Sequence, residues 1–557
     1  MKKFFYKVKK FHLKTDIIIF SGSYNKSRTK LLRKYIKLVF QIAFIVGIIY
    51  YIYNSIKLVN DNLPSYITKT DTYKLSYSKS NNKMCISFSN GKPKSTVFKD
   101  TKHKFQLGQY YSNWSPYTPY NFFPKDIDMR HTTHIYYSFI SIDSKTGNVY
   151  LQDIEADTKL KTKEMKENGL IMEFNQMRHN KNNYFETKDA PIRDHVFPDF
   201  NPYDYSMKEQ KNFKLIMSIG GWSQKNNFSN LSKKAEHLNN FIDSCINLVL
   251  SNGFDGIDID WEYPTKKKDI DTYIEIFKRL RARFDKLEQE IFFSNKQKKI
   301  KKEKWFHLST AIPCDKEVLS KLDLQKIEPF VDFFNLMGYD LSGEWSEYTS
   351  YHSNLFDDPN NKDSSSVDSV VKYMLNDLKL PSQKIILGMP LYGRSFTNVK
   401  IQNSKIIGVP FKGVDNDFDR DSPGIWPYSA IFNLKYTSYY DSKLVAAYVY
   451  NEKKKHLIVF DDYNCIEKKA EYIEKMNLGG GFFWEANGER TAKFPERLLP
   501  HFSDYSCLSF DKHIESIWNQ DEMLNYFTNL IQNGVSSQNN DILSKQAKKV
   551  YKIIKQK

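Results

Sequence analysis

Eight short, β-rich runs recur between residues 105 and 485 of the 557-residue chain, each ending in polar, aromatic or glycine residues. They are 105–114 (FQLGQYYSNW), 134–142 (HIYYSFISI), 214–222 (KLIMSIGGW), 256–262 (GIDIDWE), 307–313 (HLSTAIP), 333–340 (FFNLMGYD), 384–394 (KIILGMPLYGR) and 480–485 (GGFFWE). Stretches with apolar residues at helical spacing lie between several of them, at 235–250, 270–284 and 367–378. Eight strands alternating with helices predict an α/β fold, a (β/α)8 TIM barrel, over residues 105–497. Two connections are long, 143–213 and 395–479. The second contains strand-like segments at 444–450 and 456–460, and is expected to be a small α+β insertion between strands seven and eight, forming one wall of a cleft.

Strand C-terminal ends carry the chemistry of such barrels, and the fourth run ends in Asp255-Gly-Ile-Asp258-Ile-Asp260-Trp261-Glu262. On a strand, residues two apart share a face. Asp258, Asp260 and Glu262 therefore point into the barrel, stacked toward its mouth, while Ile257, Ile259 and Trp261 face the helices. Three neighbouring carboxylates cannot all ionise cheaply, so at least one pKa should rise. A carboxyl that keeps its proton near neutrality is what a general acid requires, and Glu262, the outermost, is the one that reaches outward. Strand-end acids also suit a cation such as Mg²⁺ or Ca²⁺. The whole octad on the fourth of eight runs favours the acid–base reading, so neither a metal nor a cofactor is expected.

The octad resembles the D-x-x-D-x-D-x-E signature of family 18 glycoside hydrolases, and further likenesses fall on the expected runs. Ser218-Ile-Gly-Gly221 is similar to the family's S-x-G-G on strand three, and Met337-Gly-Tyr339-Asp340 to its M-x-Y-D on strand six. Leu387 to Arg394 resembles strand seven, and Gly480-Gly-Phe-Phe-Trp484-Glu485 strand eight. At strand one the usual G-Y-F reads Gln109-Tyr110-Tyr111. The resemblance implies hydrolysis of chitin by substrate-assisted retaining catalysis. Glu262 would be acid and then base, Asp260 would orient the substrate's acetamido group, Asp258 would share a proton with Asp260, and Tyr339 would donate to the acetamido oxygen. Trp484 would floor the sugar site and Asp340 would contact the same sugar. Met337, Tyr110, Tyr392, Arg394, Trp222 and Trp345 are further candidate substrate contacts. Ser218, Gly220 and Gly221 are read as close packing beside the acids, and Asp255 as structural. A chitin-binding lectin on the same barrel and an endo-β-N-acetylglucosaminidase acting on N-glycans are the alternatives. The presence of Glu262 argues against the lectin.

The formal charge of +18 raises a nucleic-acid reading, but residues 1–37 hold 12 Lys/Arg against one acid, Asp16, leaving only +7 for the rest. No nucleic-acid partner is expected. The apolar stretch that follows (LVFQIAFIVGIIYYIY from Leu38) is near the length that spans a bilayer. Residues 38–56 are expected to be an uncleaved transmembrane signal anchor, with the basic tail cytosolic and the catalytic part luminal or extracellular, a type II single-pass arrangement. Sequons at Asn113, Asn227 and Asn230 fit that side. Residues 57–104 read as a polar stem, with a strand or two inside it left open, and 498–557 as an extension without a motif. The five Cys residues (85, 245, 314, 465 and 507) include no C-x-x-C, which supports neither zinc nor a dense disulfide framework. One or two bridges and buried thiols both stay open. The chain is expected to work as a monomer on chitin or chito-oligosaccharides.

Overall fold

The computed structural model describes residues 73–78, 83–88, 105–127, 129, 132–179, 213–292, 305–359 and 365–490, with positions 498, 499, 502, 549 and 550. The expected tail, anchor and most of the extension lie outside the described residues. Among the described residues no helix is long and apolar enough to cross a membrane. Within the expected stem, β1 (Tyr73–Ser78) and β2 (Lys83–Phe88) form an antiparallel pair, Tyr73 opposite Phe88.

The eight runs become eight parallel strands of a closed barrel. They are β3 (Gln106–Ser112), β4 (His134–Ile142), β6 (Lys214–Gly220), β7 (Gly256–Asp260), β8 (His307–Pro313), β9 (Phe333–Met337), β10 (Ile385–Pro390) and β16 (Gly480–Trp484). The last strand pairs with the first, Phe482 in register with Gly108, which closes the ring. Between β4 and β6 a short β5 (Val149–Leu151) extends the sheet antiparallel to β4. The helices of seven residues or more among the described residues are α1 (Leu170–His179), α2 (Lys225–Leu231), α3 (Ala235–Asn252), α4 (Lys267–Phe292), α5 (Val367–Asn376) and α6 (Tyr463–Lys475). α3 stops where Gly253 takes a left-handed φ of 72°, a conformation that costs glycine nothing.

The seventh run differs from the expectation. It is not one strand: the barrel strand ends at Pro390, and Tyr392 opens β11 (Tyr392–Phe396) of a second sheet. That sheet adds β12 (Ile425–Pro427), β13 (Thr437–Asp441), β14 (Ala446–Asn451) and β15 (His456–Phe460), all antiparallel, in the order β12-β11-β15-β14-β13. The insertion therefore begins at the end of β10 itself, with Leu391 as the only residue between the two sheets.

Two buried ion pairs fasten helices to the strand entrances. Asp255 Oδ2 accepts from the Leu215 amide at 2.8 Å and pairs with Arg178 of α1, both side chains fully buried. Asp332 repeats the device two strands on. It accepts from the Leu308 amide at 2.8 Å and from Arg281 of α4 at 2.5 Å. Asp255 is thus structural, as its place at the head of the octad implied. Outside the ring, Trp261 is 1% exposed and stacks on Phe228 at 5.0 Å, with Tyr273 edge-on at 5.9 Å. Each such aromatic pair adds roughly 0.5–1.5 kcal/mol beyond area burial, and together they anchor the outward face of the octad.

Three cysteines, Cys245, Cys314 and Cys465, are free and buried. The sequon at Asn113 is buried too, its amide donating to Asp157 at 3.2 Å, and the Asn227 amide is engaged by Ile142 and Gln224. Folded burial at Asn113 removes it as a glycan acceptor. Of the extension, Leu498, Leu499 and Phe502 are buried, with Phe502 edge-on to Phe483 of β16.

Candidate active site

The register of the barrel builds the site. Asp258 lies level with Ser218 on β6 and Ser309 on β8. Ser218 Oγ donates to Asp258 Oδ2 at 2.8 Å and Ser309 Oγ to Oδ1 at 2.7 Å. Tyr110 reaches across from β3 to Oδ2 at 2.9 Å, and the Asn335 amide of β9 approaches Oδ1 at 3.3 Å. Four donors on one carboxylate favour its charged form. Burial is the larger influence and still raises the pKa of Asp258. Ser218 is therefore more than a small packing residue, because it donates directly to an acid.

Asp260, one pleat further out, is 4% exposed, and its Oδ1 has no hydrogen-bond partner among the described residues. Burial first, then the charges of Glu262 and Asp258, push its pKa well up. The expected sharing of a proton does not use Oδ1 here, and the acceptor sites of Asp258 are filled by other strands. Glu262, at the mouth, is half-buried. Burial raises it to about 7, opposed by a hydrogen bond from Tyr263 and helped by the charge of Asp340. The three acids thus face inward as the two-residue spacing required, with at least one carboxyl displaced toward neutrality.

Beside them stand Tyr339, 7% exposed, and Asp340, which holds a left-handed φ of 61°. Arg394 Nε donates to Asp340 Oδ1 at 2.6 Å, the Tyr392 hydroxyl donates to the same oxygen, and His352 Nδ1 lies 3.7 Å away. Burial alone would raise the Asp340 pKa. That is the largest single influence even though the side chain is 40% exposed, but the Arg394 charge together with the hydrogen bonds from His352 and Arg394 outweighs it and holds the carboxyl far below the usual range. Tyr392 and Arg394 therefore both act on Asp340.

Trp484 ends β16 and is half-buried, stacked on Phe139 at 5.6 Å and tilted to Tyr110 at 5.4 Å. Trp222 and Trp345 are 63% and 58% exposed at the rim. Cations back both rings, Lys225 Nζ at 4.2 Å from Trp222 and Arg394 at 4.5 Å from Trp345. Met337 is half-buried in the aromatic cluster with Tyr339 and Phe482. Tyr110 is the candidate whose position differs most from the expectation of a substrate contact. At 2% exposure it lies beneath the acids, because β3 directs it into the barrel against Tyr136 at 4.7 Å. The peptide bonds 262–263 and 484–485, at or just beyond strand ends, are cis, as is 138–139 within β4, where the pairing to β6 is irregular.

Two residues of the site, Ser309 and Asn335, had no motif to betray them, and Glu485 stood in the strand-eight motif without being singled out. Ser309 and Asn335 touch Asp258 only through strand register. Glu485 follows Trp484 at the cleft, where burial raises its carboxyl to about 7 against hydrogen bonds from Ser112, Asn487 and Trp114. A cleft of about 520 Å³ opens beside Trp484, bounded by the insertion and the loop after β3. No group of residues able to hold a metal ion occurs among the described residues.

A parallel barrel with stacked carboxyls at the end of its fourth strand, one of them near neutral pKa, defines an acid–base hydrolase site of the glycosidase type. Residues 106–489 match the model of glycosyl hydrolases family 18, and the chain belongs to that family. It is 36% identical over 416 residues to sporulation-specific chitinase 2 of Saccharomyces cerevisiae, covering 72% of this chain and 77% of the relative. Endochitinase 1 of Metarhizium robertsii is 30% identical over 394 residues, covering 70% and 82%. Among solved structures, chitinase ChiA74 from Bacillus thuringiensis superposes with a TM-score of 0.59 at 20% identity, covering 73% of this chain and 70% of that one. A Cycas revoluta family 18 chitinase in complex with (GlcNAc)4 gives 0.52 at 24% identity, covering 69% and 95%. At those identities the structural likeness speaks for the fold.

Proposed function

We propose that this enzyme hydrolyses the β-1,4 linkages between N-acetylglucosamine units of chitin, with the substrate's own acetamido group as nucleophile. The observation that carries the reading is the pair Asp260 and Glu262: a buried acid with an unpartnered oxygen beside an outer carboxyl of pKa about 7. The chitinases among its relatives support the substrate class.

Glu262 gives its proton to the glycosidic oxygen as the C–O bond breaks and the acetamido oxygen closes on the anomeric carbon. Asp260 receives the acetamido N–H on Oδ1, and once Glu262 has given up its proton the interacting pair of carboxyls holds one negative charge, which offsets the positive charge on the oxazolinium ring. Tyr339 donates to the acetamido oxygen. Water, deprotonated by Glu262, then opens the ring with net retention. Asp258 is the fixed polar base beneath Asp260, while Asp340, held by Arg394 and Tyr392, presents its other oxygen toward the sugar. The Trp484 face suits the C–H surface of a pyranose, with the exposed Trp222 and Trp345 as outlying platforms. The insertion sheet, which walls the cleft, favours a polymer substrate over an N-glycan. Hydrolysis of a fluorogenic chitotrioside tests the reading; no turnover between acidic and neutral pH would remove it, and retained oligosaccharide binding would then favour the lectin.

The basic residues 1–37 and the apolar residues 38–56 support a type II anchor, followed by a stem to residue 104, the catalytic part at 105–497 and an extension at 498–557. Protease protection of the tail in sealed membranes tests this topology. The chain is proposed to act as a monomer, which light scattering would check.

A further inference from the structure

The cleft beside Trp484 lies to one side of the acids. It is lined by Trp484 and Asp340, by Tyr117 and Tyr120 from the loop after β3 and by Asp419 and Asp421 from the insertion. Glu262, Asp260 and Tyr339 are not among its lining residues, while Asp340 and Tyr392, which are, adjoin Tyr339. At its two lips the loops touch. The Tyr120 ring meets Phe418 with centroids 5.8 Å apart and planes at 61°, and Phe418 is backed by Trp426 at 6.1 Å.

Neither lip is built to swing. The first loop is closed on itself by Tyr117 N to Trp114 O at 3.0 Å, Tyr120 N to Tyr117 O at 2.9 Å and Phe122 N to Ser115 O at 2.8 Å. Asn487, just past β16, ties it down through Ser115 Oγ at 3.1 Å. The second loop hangs on Asp415. Its carboxylate takes the Trp426 indole N–H at 2.9 Å and His456 Nε2 at 2.7 Å, and its carbonyl takes the Gly424 amide at 2.6 Å. Lids that open and close need segments with few internal bonds. These loops are internally bonded, so their contact is a standing feature of the cleft.

We propose that the Tyr120–Phe418 contact is a fixed stop for the sugar chain on the Trp484 side of the acids, so that cleavage proceeds from a chain end and releases short products of one preferred length. This rests on the glycosidase reading above. A groove open at both ends admits a long chain anywhere along its length. A groove ended by two bonded loops admits only the few sugars that fit between the stop and Glu262, and the position of the cut is then counted from the end.

The test uses the full chain on a chitin hexamer, with products resolved by length, and on soluble glycol chitin, with viscosity followed against new reducing ends. The wild type should give one dominant short product from the earliest time, with little viscosity lost per bond cut. Phe418→Ala and, on the opposite lip, Tyr120→Ala should broaden the product lengths and drop viscosity several-fold more per bond. A melting curve verifies that each variant is folded, and either folded variant suffices. Mixed lengths from the wild type, or a wild-type pattern in the folded variants, would overturn the stop. Absence of any hydrolysis by the wild type would instead remove the glycosidase reading itself.

Discussion

The hydroxyl of Tyr110 donates to Asp258 Oδ2 at 2.9 Å across the barrel, although the two residues are 148 positions apart in the chain. The bond makes a residue of the first strand part of the charge setting on the fourth. Hydrogen bonds to charged groups contribute about 1.5–3 kcal/mol. Tyr110→Phe is therefore expected to lower kcat roughly ten- to hundredfold, by the factor of ten per 1.4 kcal/mol, with a smaller change in KM. Steady-state kinetics on a fluorogenic chitotrioside would measure both, and an unchanged kcat would count against the role.

Glu262 carries a pH signature in both rate and stability. As the proposed acid it must be protonated, so kcat/KM should fall as pH rises through about 7. The folded protein keeps this proton up to about 7, whereas the unfolded chain releases it near 4.5. The raised pKa thus contributes stability that is full below 4.5 and is lost as pH rises through 7. Glu262→Gln should abolish turnover, and its melting temperature relative to wild type should improve between pH 5 and pH 8. A difference that stays flat over that range would contradict the assignment.

Removing one partner of a fully buried ion pair leaves the other charge stranded, at a cost of about 3–5 kcal/mol. Arg178→Ala should produce a loss of that size in urea unfolding, since Asp255 beneath it is fully buried. Its turnover per folded molecule should stay near wild type, because Arg178 lies at the strand entrance, far from the barrel mouth.

Gly220 sits at the end of β6 with φ at +123°, and a Cβ there would stand 2.1 Å from the Asp260 carbonyl oxygen. The left-handed conformation alone costs other residues roughly 1–3 kcal/mol, and the clash would displace the strand that carries Asp260. Gly220→Ala should therefore lower both melting temperature and kcat, the second more than the first. Full activity in that variant would mean that Asp260 tolerates displacement.

What could be read in the sequence followed from period and position. The alternation in Asp258-Ile-Asp260-Trp261-Glu262 fixed which residues face inward, and the structure buries Ile259 and Trp261 on the opposite side. The runs 134–142 and 307–313 became β4 and β8 residue for residue. Ser309 and Asn335 stayed invisible because their meaning comes from register across strands, where a serine or asparagine looks locally like any other polar residue. Tyr110 was visible as a residue but not in its depth, since a tyrosine near a strand end can face the cleft or the floor. The seventh run read as one strand because nothing in Pro-Leu-Tyr announces that the chain leaves one sheet for another at Leu391.

The ring of strands is closed by its last member, with β16 pairing to β3 across 374 residues from Tyr110 to Trp484. During synthesis the acids of β7 leave the ribosome long before residue 480. Until β16 arrives, the strands it joins have open edges and Tyr110 lacks the indole against which it packs. The growing polypeptide therefore has its acidic strand early and its working site late. Trp484, the proposed sugar platform, is missing until nearly all of the catalytic region has been made, a delay in time written into the order of the strands.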